Sequence, residues 1–322
     1  MAGKPKVVIT RLLPGVSVER IGETAVLAAP PPDGPMARDE LLRLAPGAAG
    51  ILCTLADRVD AALLDAAGPS LRVVSNYAVG VNNIDVPEAT RRGVRVCNTP
   101  GVLTDATADL AFALMLSAAR RFSEAERSLR AGRFHGWDPW GFLGVPVFGK
   151  TLGIVGMGKI GTAVAARARG FAMRILYNSR GRLPEERERS LMAAYAPLDD
   201  LLPASDFVVL CVPLTDATRR LIGPERLARM KPGAVLVNVA RGEVVDEAAL
   251  AAALAEGRIF AAGCDVYERE PEVHPDLLAA PGAILVPHIG SATREAREAM
   301  GRLAAENLLA VLAGAEPPHP VN

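Results

Sequence analysis

Ten short apolar runs, separated by longer Ala-, Leu- and Arg-rich stretches, limit what this chain can fold into more than any other feature. The runs are Val7–Thr10, Gly50–Cys53, Leu71–Ser75, Val94–Cys97, Leu152–Val155, Arg174–Tyr177, Phe207–Cys211, Ala234–Asn238, Phe260–Cys264 and Ala283–Val286. Continuous apolar runs of this length suit strands of a parallel sheet covered on both faces. Helical patterns occupy Thr104–Arg121, Ile160–Arg169 and Glu247–Glu256, and a final helix of about twenty residues is expected to end near Gly314. Alternating strands and helices predict an α/β fold with parallel sheets. At 322 residues the chain has room for two domains, each with its own core.

Charge and composition exclude several classes. Lys+Arg and Asp+Glu number 36 each, so the formal net charge is zero. That is not the basic footprint of a nucleic-acid binder, although a small anion needs only a local cation. The longest apolar run, Leu110–Ala119, is ten residues broken by Ser117, where a membrane span takes about 20. The N-terminal residues are basic but lead into no long apolar core, which argues against a secretory signal. Cys53, Cys97, Cys211 and Cys264 are scattered and form no CxxC pair. They read as reduced, buried thiols in a cytoplasmic protein, with no metal site expected.

One motif carries chemistry by its context. The strand Leu152–Val155 runs into Gly156-Met-Gly158-Lys159-Ile160-Gly161, a helix follows, and a second strand ends at Tyr177. A GxGxxG sequence between strand and helix is the fingerprint of a dinucleotide site. Gly156 permits the tight turn, Gly158 lets backbone amides approach a pyrophosphate, and Gly161 lets the helix pack close to the strand. The helix start at Lys159 and Ile160 adds the positive end of its dipole. The second strand ends in Asn178, Ser179 and Arg180, with no carboxylate before Glu185. A carboxylate there would bind a ribose 2′-hydroxyl. Arg180, with Arg182 beside it, suits a 2′-phosphate, and Asn178 and Ser179 donate without repelling one. The expected cofactor is NADP(H), with NAD(H) as the alternative.

Three more strands each lead to a reactive side chain: Ala234–Asn238 to Arg241, Phe260–Cys264 to Asp265 and Glu270, and Ala283–Val286 to His288. Ligands of open α/β sheets bind beyond the carboxyl ends of strands, so all three are expected at the crevice of the Gly-rich loop. The segments Asn76–Asp85, Gly156–Gly161, Asn238–Gly242, Asp265–Pro271 and Pro287–Thr293 together resemble those of the D-isomer-specific 2-hydroxyacid dehydrogenase family, most closely its glyoxylate/hydroxypyruvate reductase branch. The resemblance spans essentially the whole chain. It implies an NAD(P)-dependent enzyme reducing small 2-oxo acids, glyoxylate to glycolate and hydroxypyruvate to D-glycerate. His288 would be the proton donor. Arg241 would clamp the carboxylate and polarise the carbonyl. Glu270 would hydrogen-bond the far nitrogen of His288, fix its tautomer and favour its protonated form; Glu268 is a competing candidate for that role. Val79 and Gly80 would cradle the substrate carboxylate through backbone amides, with Leu55 and Ser291 nearby. Asp265 would hold the nicotinamide amide, Pro213 would flank the adenine, and Thr107, Asp109 and Val212–Thr215 would lie on the cofactor side or at a hinge. Ser291 has a second reading, as the cap of the last helix.

The uncharged stretch Leu52–Ala56 suits a small substrate better than a phosphorylated one. Another D-2-hydroxyacid dehydrogenase, such as one acting on 3-phosphoglycerate, is the alternative, and a non-catalytic dinucleotide-sensing corepressor a remote one. The implied architecture is two doubly wound parallel-sheet domains. Residues 1–98 with 289–322 form a flavodoxin-like substrate domain, and residues 99–288 a Rossmann cofactor domain. The chain crosses between them twice, so a cleft that closes on substrate is expected. The apolar helix from Thr104 must be buried between domains or subunits, which suggests a homodimer. Trp137 and Trp140 read as interface or core aromatics, and the resemblance implies that an aromatic of this region can reach a partner's active site.

Overall fold

The computed structural model describes residues 3–322. They divide into two compact units, one running to Leu103 and resuming over Ser291–Asn322, the other Thr104–Gly290. These junctions lie a few residues beyond the 98/99 and 288/289 positions read from the sequence.

The first unit contains β1 (Lys6–Ile9), α1 (Ser17–Thr24), β2 (Val26–Leu27), α2 (Arg38–Leu44), β3 (Gly50–Cys53), α3 (Ala61–Ala67), β4 (Val73–Asn76), α4 (Val86–Arg91) and β5 (Arg95–Cys97). The second contains α5 (Thr104–Ala119), α6 (Phe122–Arg130), β6 (Thr151–Val155), α7 (Lys159–Ala168), β7 (Arg174–Asn178), α8 (Glu185–Leu191), β8 (Ala193–Tyr195), α9 (Leu198–Ala204), β9 (Phe207–Leu210), α10 (Pro224–Arg229), β10 (Val235–Asn238), α11 (Glu247–Ala255), β11 (Ala261–Cys264), α12 (Pro275–Ala279) and β12 (Ala283–Leu285). The last helix, α13 (Arg294–Leu312), belongs to the first unit.

Both sheets are parallel throughout. The first has the order β2-β1-β3-β4-β5 and the second β12-β11-β10-β9-β6-β7-β8. In each, the order reverses once, between β1 and β3 and between β6 and β9. Such reversals open a crevice at the carboxyl ends of the strands. Buried strands need cover on both faces. In the second unit α5 and α7 lie over one face and α9 to α12 over the other, building two apolar clusters. In the first, α2 and α3 cover one face, while α13 packs on β3 and β4 from the other. Leu308 of α13 is fully buried. Ser75 donates to the Ala304 carbonyl at 2.8 Å and Asn307 to that of Asn98 at 2.9 Å, tying this late helix to early strands.

Two expectations need correction. Strands β2 and β8 have no counterpart among the ten apolar runs; both are two- or three-residue edges and carry too little pattern to register. The apolar helix α5 does not wait for a partner. Ala108, Ala111, Phe112, Leu114, Met115, Ala118 and Ala119 are buried within its own unit, against α7, β10 and β11. Its hydrophobicity follows from lying on a sheet, and carries no argument for a dimer. Among the described residues no helix is long and apolar enough to cross a membrane.

Candidate active site

The Gly-rich loop leaves β6 at the reversal point of the second sheet. Gly156 adopts φ +100°, and a Cβ there would stand 2.6 Å from the Cys211 carbonyl oxygen and 2.9 Å from Val212 Cγ1. Only a residue without a side chain gives that turn at that spacing. A Cβ on Gly161 would stand 2.0 Å from the Gly156 carbonyl oxygen, so α7 can begin this close to the loop only with glycine there. At Gly158 the surroundings are open, and a Cβ there would meet nothing within 4 Å. Gly158 is also the N-cap of α7, and no side chain caps the helix. Uncapped N–H groups at a helix start facing open space fit the pyrophosphate of a dinucleotide.

The end of β7 is fixed from two sides. Gly156 N–H donates to the Asn178 carbonyl at 2.8 Å, and the Asn178 amide donates to the Ala196 carbonyl at 3.0 Å. Ser179 donates to the Gly181 carbonyl at 2.6 Å. Arg182 is not available beside Arg180: its guanidinium forks onto Glu188 at 2.9 and 2.8 Å. Arg180 is exposed and makes no hydrogen bond or ion pair with the described residues. Elsewhere on this side, Thr107 donates to the Gly290 carbonyl at 3.1 Å. The Pro213 carbonyl accepts from Thr218. Asp109 is ion-paired with Arg167 at 2.6 Å.

Arg241, Glu270 and His288 come together within the second unit. His288 Nδ1 lies 2.7 Å from Glu270 Oε2. Burial works to raise the Glu270 pKa. The hydrogen bond and charge of His288, the Tyr267 amide and the charge of Arg241 outweigh it, and the net direction is down. An ionised carboxylate accepts only, so Nδ1 carries a proton and Nε2 is the nitrogen left to face a ligand. Burial pushes the Arg241 pKa down, opposed by the charges of Glu270 and Glu243. The guanidinium donates to the Ala240 carbonyl at 2.6 Å. Next to it, a Cβ on Gly242 would stand 1.8 Å from the Tyr267 carbonyl carbon. That glycine is what lets the Arg241 segment lie against the Glu270 segment. Glu268 faces elsewhere: it and Glu247 each accept from the other's backbone N–H, at 3.2 and 2.5 Å.

His288 has φ 51°, a conformation uncommon outside glycine. Asp265 holds it there. Its carboxylate accepts from Ile289 N–H at 2.6 Å and Gly290 N–H at 2.8 Å, and its carbonyl accepts from His288 N–H at 2.9 Å. Burial raises the Asp265 pKa, against the pull of those two amides and of the His288 charge. Tyr267 adds a second brace by donating to the Val286 carbonyl at 2.9 Å.

In the first unit, the residues expected to meet a carboxylate follow β3 and β4, on the reversal side of the sheet. Asn98 donates to the Val79 carbonyl at 2.7 Å and Asn76 to the Gly80 carbonyl at 2.8 Å. The N–H groups of Val79 and Gly80 have no partner among the described residues. Asn83 bridges to the loop of Leu55, donating to the carbonyls of Thr54 at 3.1 Å and Asp57 at 3.0 Å. The buried Asp57 carboxylate accepts from Thr10 at 2.5 Å and from the Thr54 amide at 2.7 Å. Ser291 does not cap α13. Thr293 does, accepting from Ala296 N–H at 3.2 Å. No sequence signal singles out Asp57, Asn98, Tyr267 or Glu188 for a role of its own. Asn76, Asn83 and Tyr267 at least lie inside segments that carry the resemblance. Trp137 and Trp140 are 86% and 81% exposed, so neither is core.

Several known proteins are similar to this chain. A family model described as "D-isomer specific 2-hydroxyacid dehydrogenase, NAD binding domain" matches residues 112–290. A glyoxylate reductase from Thermococcus kodakarensis is 51% identical over 323 aligned positions, covering 99% of this chain and 96% of its own. A crystal structure of a protein from Thermus thermophilus has a TM-score of 0.91 at 45% identity, covering 98% of this chain and 100% of that one. An NADPH-dependent glyoxylate/hydroxypyruvate reductase from Sinorhizobium meliloti, solved with NADP and malonate, has a TM-score of 0.86 at 34% identity, covering 99% and 97%. With a Gly-rich loop shaped for a dinucleotide in the matched unit, the chain belongs to the D-isomer specific 2-hydroxyacid dehydrogenase family and is an NAD(P)-dependent oxidoreductase.

Proposed function

We propose that this protein reduces glyoxylate to glycolate and hydroxypyruvate to D-glycerate, with NADPH preferred over NADH. The 2.7 Å pair between His288 Nδ1 and Glu270 carries the reading. It keeps a proton on Nδ1 and aims the opposite nitrogen outward, where a protonated imidazole serves as general acid. A dinucleotide held by the loop of Gly156, Gly158 and Gly161 would supply the hydride for the carbonyl carbon. The carbonyl oxygen then takes its proton from His288 Nε2. Arg241 binds the carboxylate and steadies charge growing on that oxygen. The N–H groups of Val79 and Gly80 are the further anion donors in this reading, which makes the first unit the substrate-binding one and the second the cofactor-binding one.

The NADPH preference is supported by the absence of a carboxylate at the end of β7 and by the exposed Arg180. The Sinorhizobium meliloti relative is NADPH-dependent by name. Substrate size is supported by Leu55 and the uncharged stretch Leu52–Ala56 that carries it. In the same reading the protein is a homodimer, through the exposed aromatics near Trp137 and Trp140. The test is a panel of glyoxylate, hydroxypyruvate, pyruvate and 3-phosphohydroxypyruvate, each with NADPH and NADH, followed at the nicotinamide absorbance band. The highest kcat/KM is expected for glyoxylate or hydroxypyruvate with NADPH. A maximum with the phosphorylated acid would overturn the substrate assignment, and equal use of the cofactors the preference.

A further inference from the structure

The loop that presents Arg180 is held in a way the reaction itself does not explain. Its start is fixed where the Asn178 amide meets the Ala196 carbonyl, and Ser179 closes onto Gly181. Its far end is fixed by a side chain reaching out of the sheet. Tyr177, fully buried in β7, accepts from Leu183 N–H at 2.7 Å through its phenolic oxygen. The same hydroxyl donates to Glu188 Oε1 at 2.7 Å. Glu188 is itself buried in α8 and receives the Arg182 fork at 2.9 and 2.8 Å. The hydrogen bonds of Arg182 and Tyr177 hold its carboxyl at about 2, so it is ionised. Every polar side chain between 178 and 183 is therefore engaged except Arg180.

We propose that Tyr177, Glu188 and Arg182 form a clamp that sets the loop for the 2′-phosphate of NADPH, making them positioning residues for cofactor choice that act through Arg180. This clamp rests on the NADPH reading given above. Two physical effects support it. A glycine-containing loop that is free before binding loses conformational entropy when a ligand orders it; one already tied at both ends loses less. The second effect is electrostatic. An ionised Glu188 near a phosphate dianion would repel it, and a bidentate arginine cancels that charge in place. Arg182 thus serves the 2′-phosphate without touching it. The ribose hydroxyl of NADH has no charge to place, so its affinity depends less on where Arg180 stands.

The experiment compares KM and kcat for NADPH and NADH, with glyoxylate saturating, in four forms of the full-length protein: wild type, Tyr177→Phe, Arg180→Ala and the double variant. Tyr177→Phe keeps the buried ring and removes both hydrogen bonds. It is expected to raise the KM ratio of NADPH to NADH about fivefold, the order of one lost hydrogen bond, with the effect in KM rather than kcat. Arg180→Ala is expected to raise that ratio further. In its background Tyr177→Phe should add nothing, because the clamp acts through that side chain. Should Tyr177→Phe not fold, Arg182→Lys replaces it in the same cycle; it keeps the charge, loses the fork and lies on the surface. A ratio unmoved by the clamp variant while Arg180→Ala moves it would overturn the clamp and leave the NADPH reading standing. An undiminished clamp effect in the Arg180→Ala background would also overturn it. A ratio unmoved by Arg180→Ala would sink the NADPH reading and the clamp with it.

Discussion

At the scale of single residues, the candidate proton donor stands on a strained backbone and is held by groups that do no chemistry. A non-glycine residue at φ 51° costs on the order of 1–3 kcal/mol and persists only where its surroundings impose it. Asp265 imposes it at His288 through two amides and a carbonyl. His288→Ala is therefore expected to lower kcat for glyoxylate about 10²- to 10⁴-fold, the usual range for a general acid. NADPH should still bind, since the Gly-rich loop does not depend on the imidazole; cofactor fluorescence titration measures it. Retained kcat would remove His288 from the proton-donor role. The reactive side chains are legible because each follows an apolar run in a short motif, as Arg241 follows Ala234–Asn238. Residues that brace the site from outside those motifs are not. Asp57 meets Thr10 across 47 positions, and Tyr177 reads in the sequence as one more strand aromatic. Its hydroxyl matters only because α8 returns beneath it.

Elements show the same division. Nine of the ten expected strands keep their places to within a residue at each end, because parallel strands buried on both faces are continuous apolar runs. Leu71–Ser75 is the exception: its strand starts at Val73, because the Leu71 amide closes a turn onto Gly68. Phe207–Cys211 stops at Leu210, yet Cys211 N–H still donates to Val155 and carries the pairing onward. The edge strand Ala193–Tyr195 escapes sequence reading because most of it faces solvent and its neighbours Met192 and Ala196 set no turn signal. The contact of α7 with the Gly-rich loop gives the sharpest prediction at this scale. Gly161→Ala places a carbon 2.0 Å from a backbone oxygen that cannot step aside. The helix start must back away from the loop. A loss of about 1–3 kcal/mol in urea unfolding is expected, typical of overpacking. Weaker NADPH binding should accompany it, because the N–H groups at the helix start move together. Full stability with full affinity would mean that the helix start tolerates displacement and does not set the cofactor.

For the whole molecule, acid resistance and association follow from what is held and what is left exposed. Glu188 is held at about 2 against an ordinary 4.5, and Asp60, Asp206 and Glu270 are also lowered. A carboxylate with a depressed folded pKa binds fewer protons folded than unfolded. Its contribution is complete above the unfolded value and is lost as pH falls through the folded one. Urea unfolding between about pH 5 and pH 2 should thus show stability falling steadily, and Glu188→Gln should flatten that slope. An unaltered slope in the variant would show that the Arg182 fork does not persist in solution. At the other extreme of exposure, Phe134, Trp137, Trp140 and Phe148 stand in one segment with most of their rings in solvent, while α5 buries its apolar faces within its own unit. Large aromatics gathered this way cost solubility unless covered, and in the proposed homodimer a second copy of the chain would cover them by symmetry. A Trp137→Ala/Trp140→Ala double variant is expected to sediment as a monomer where the wild type sediments as a dimer. Its thermal unfolding at low concentration should match that of the wild type, since neither ring packs in the core. A wild type that sediments as a monomer at every concentration would leave those rings without a partner and end the dimer reading.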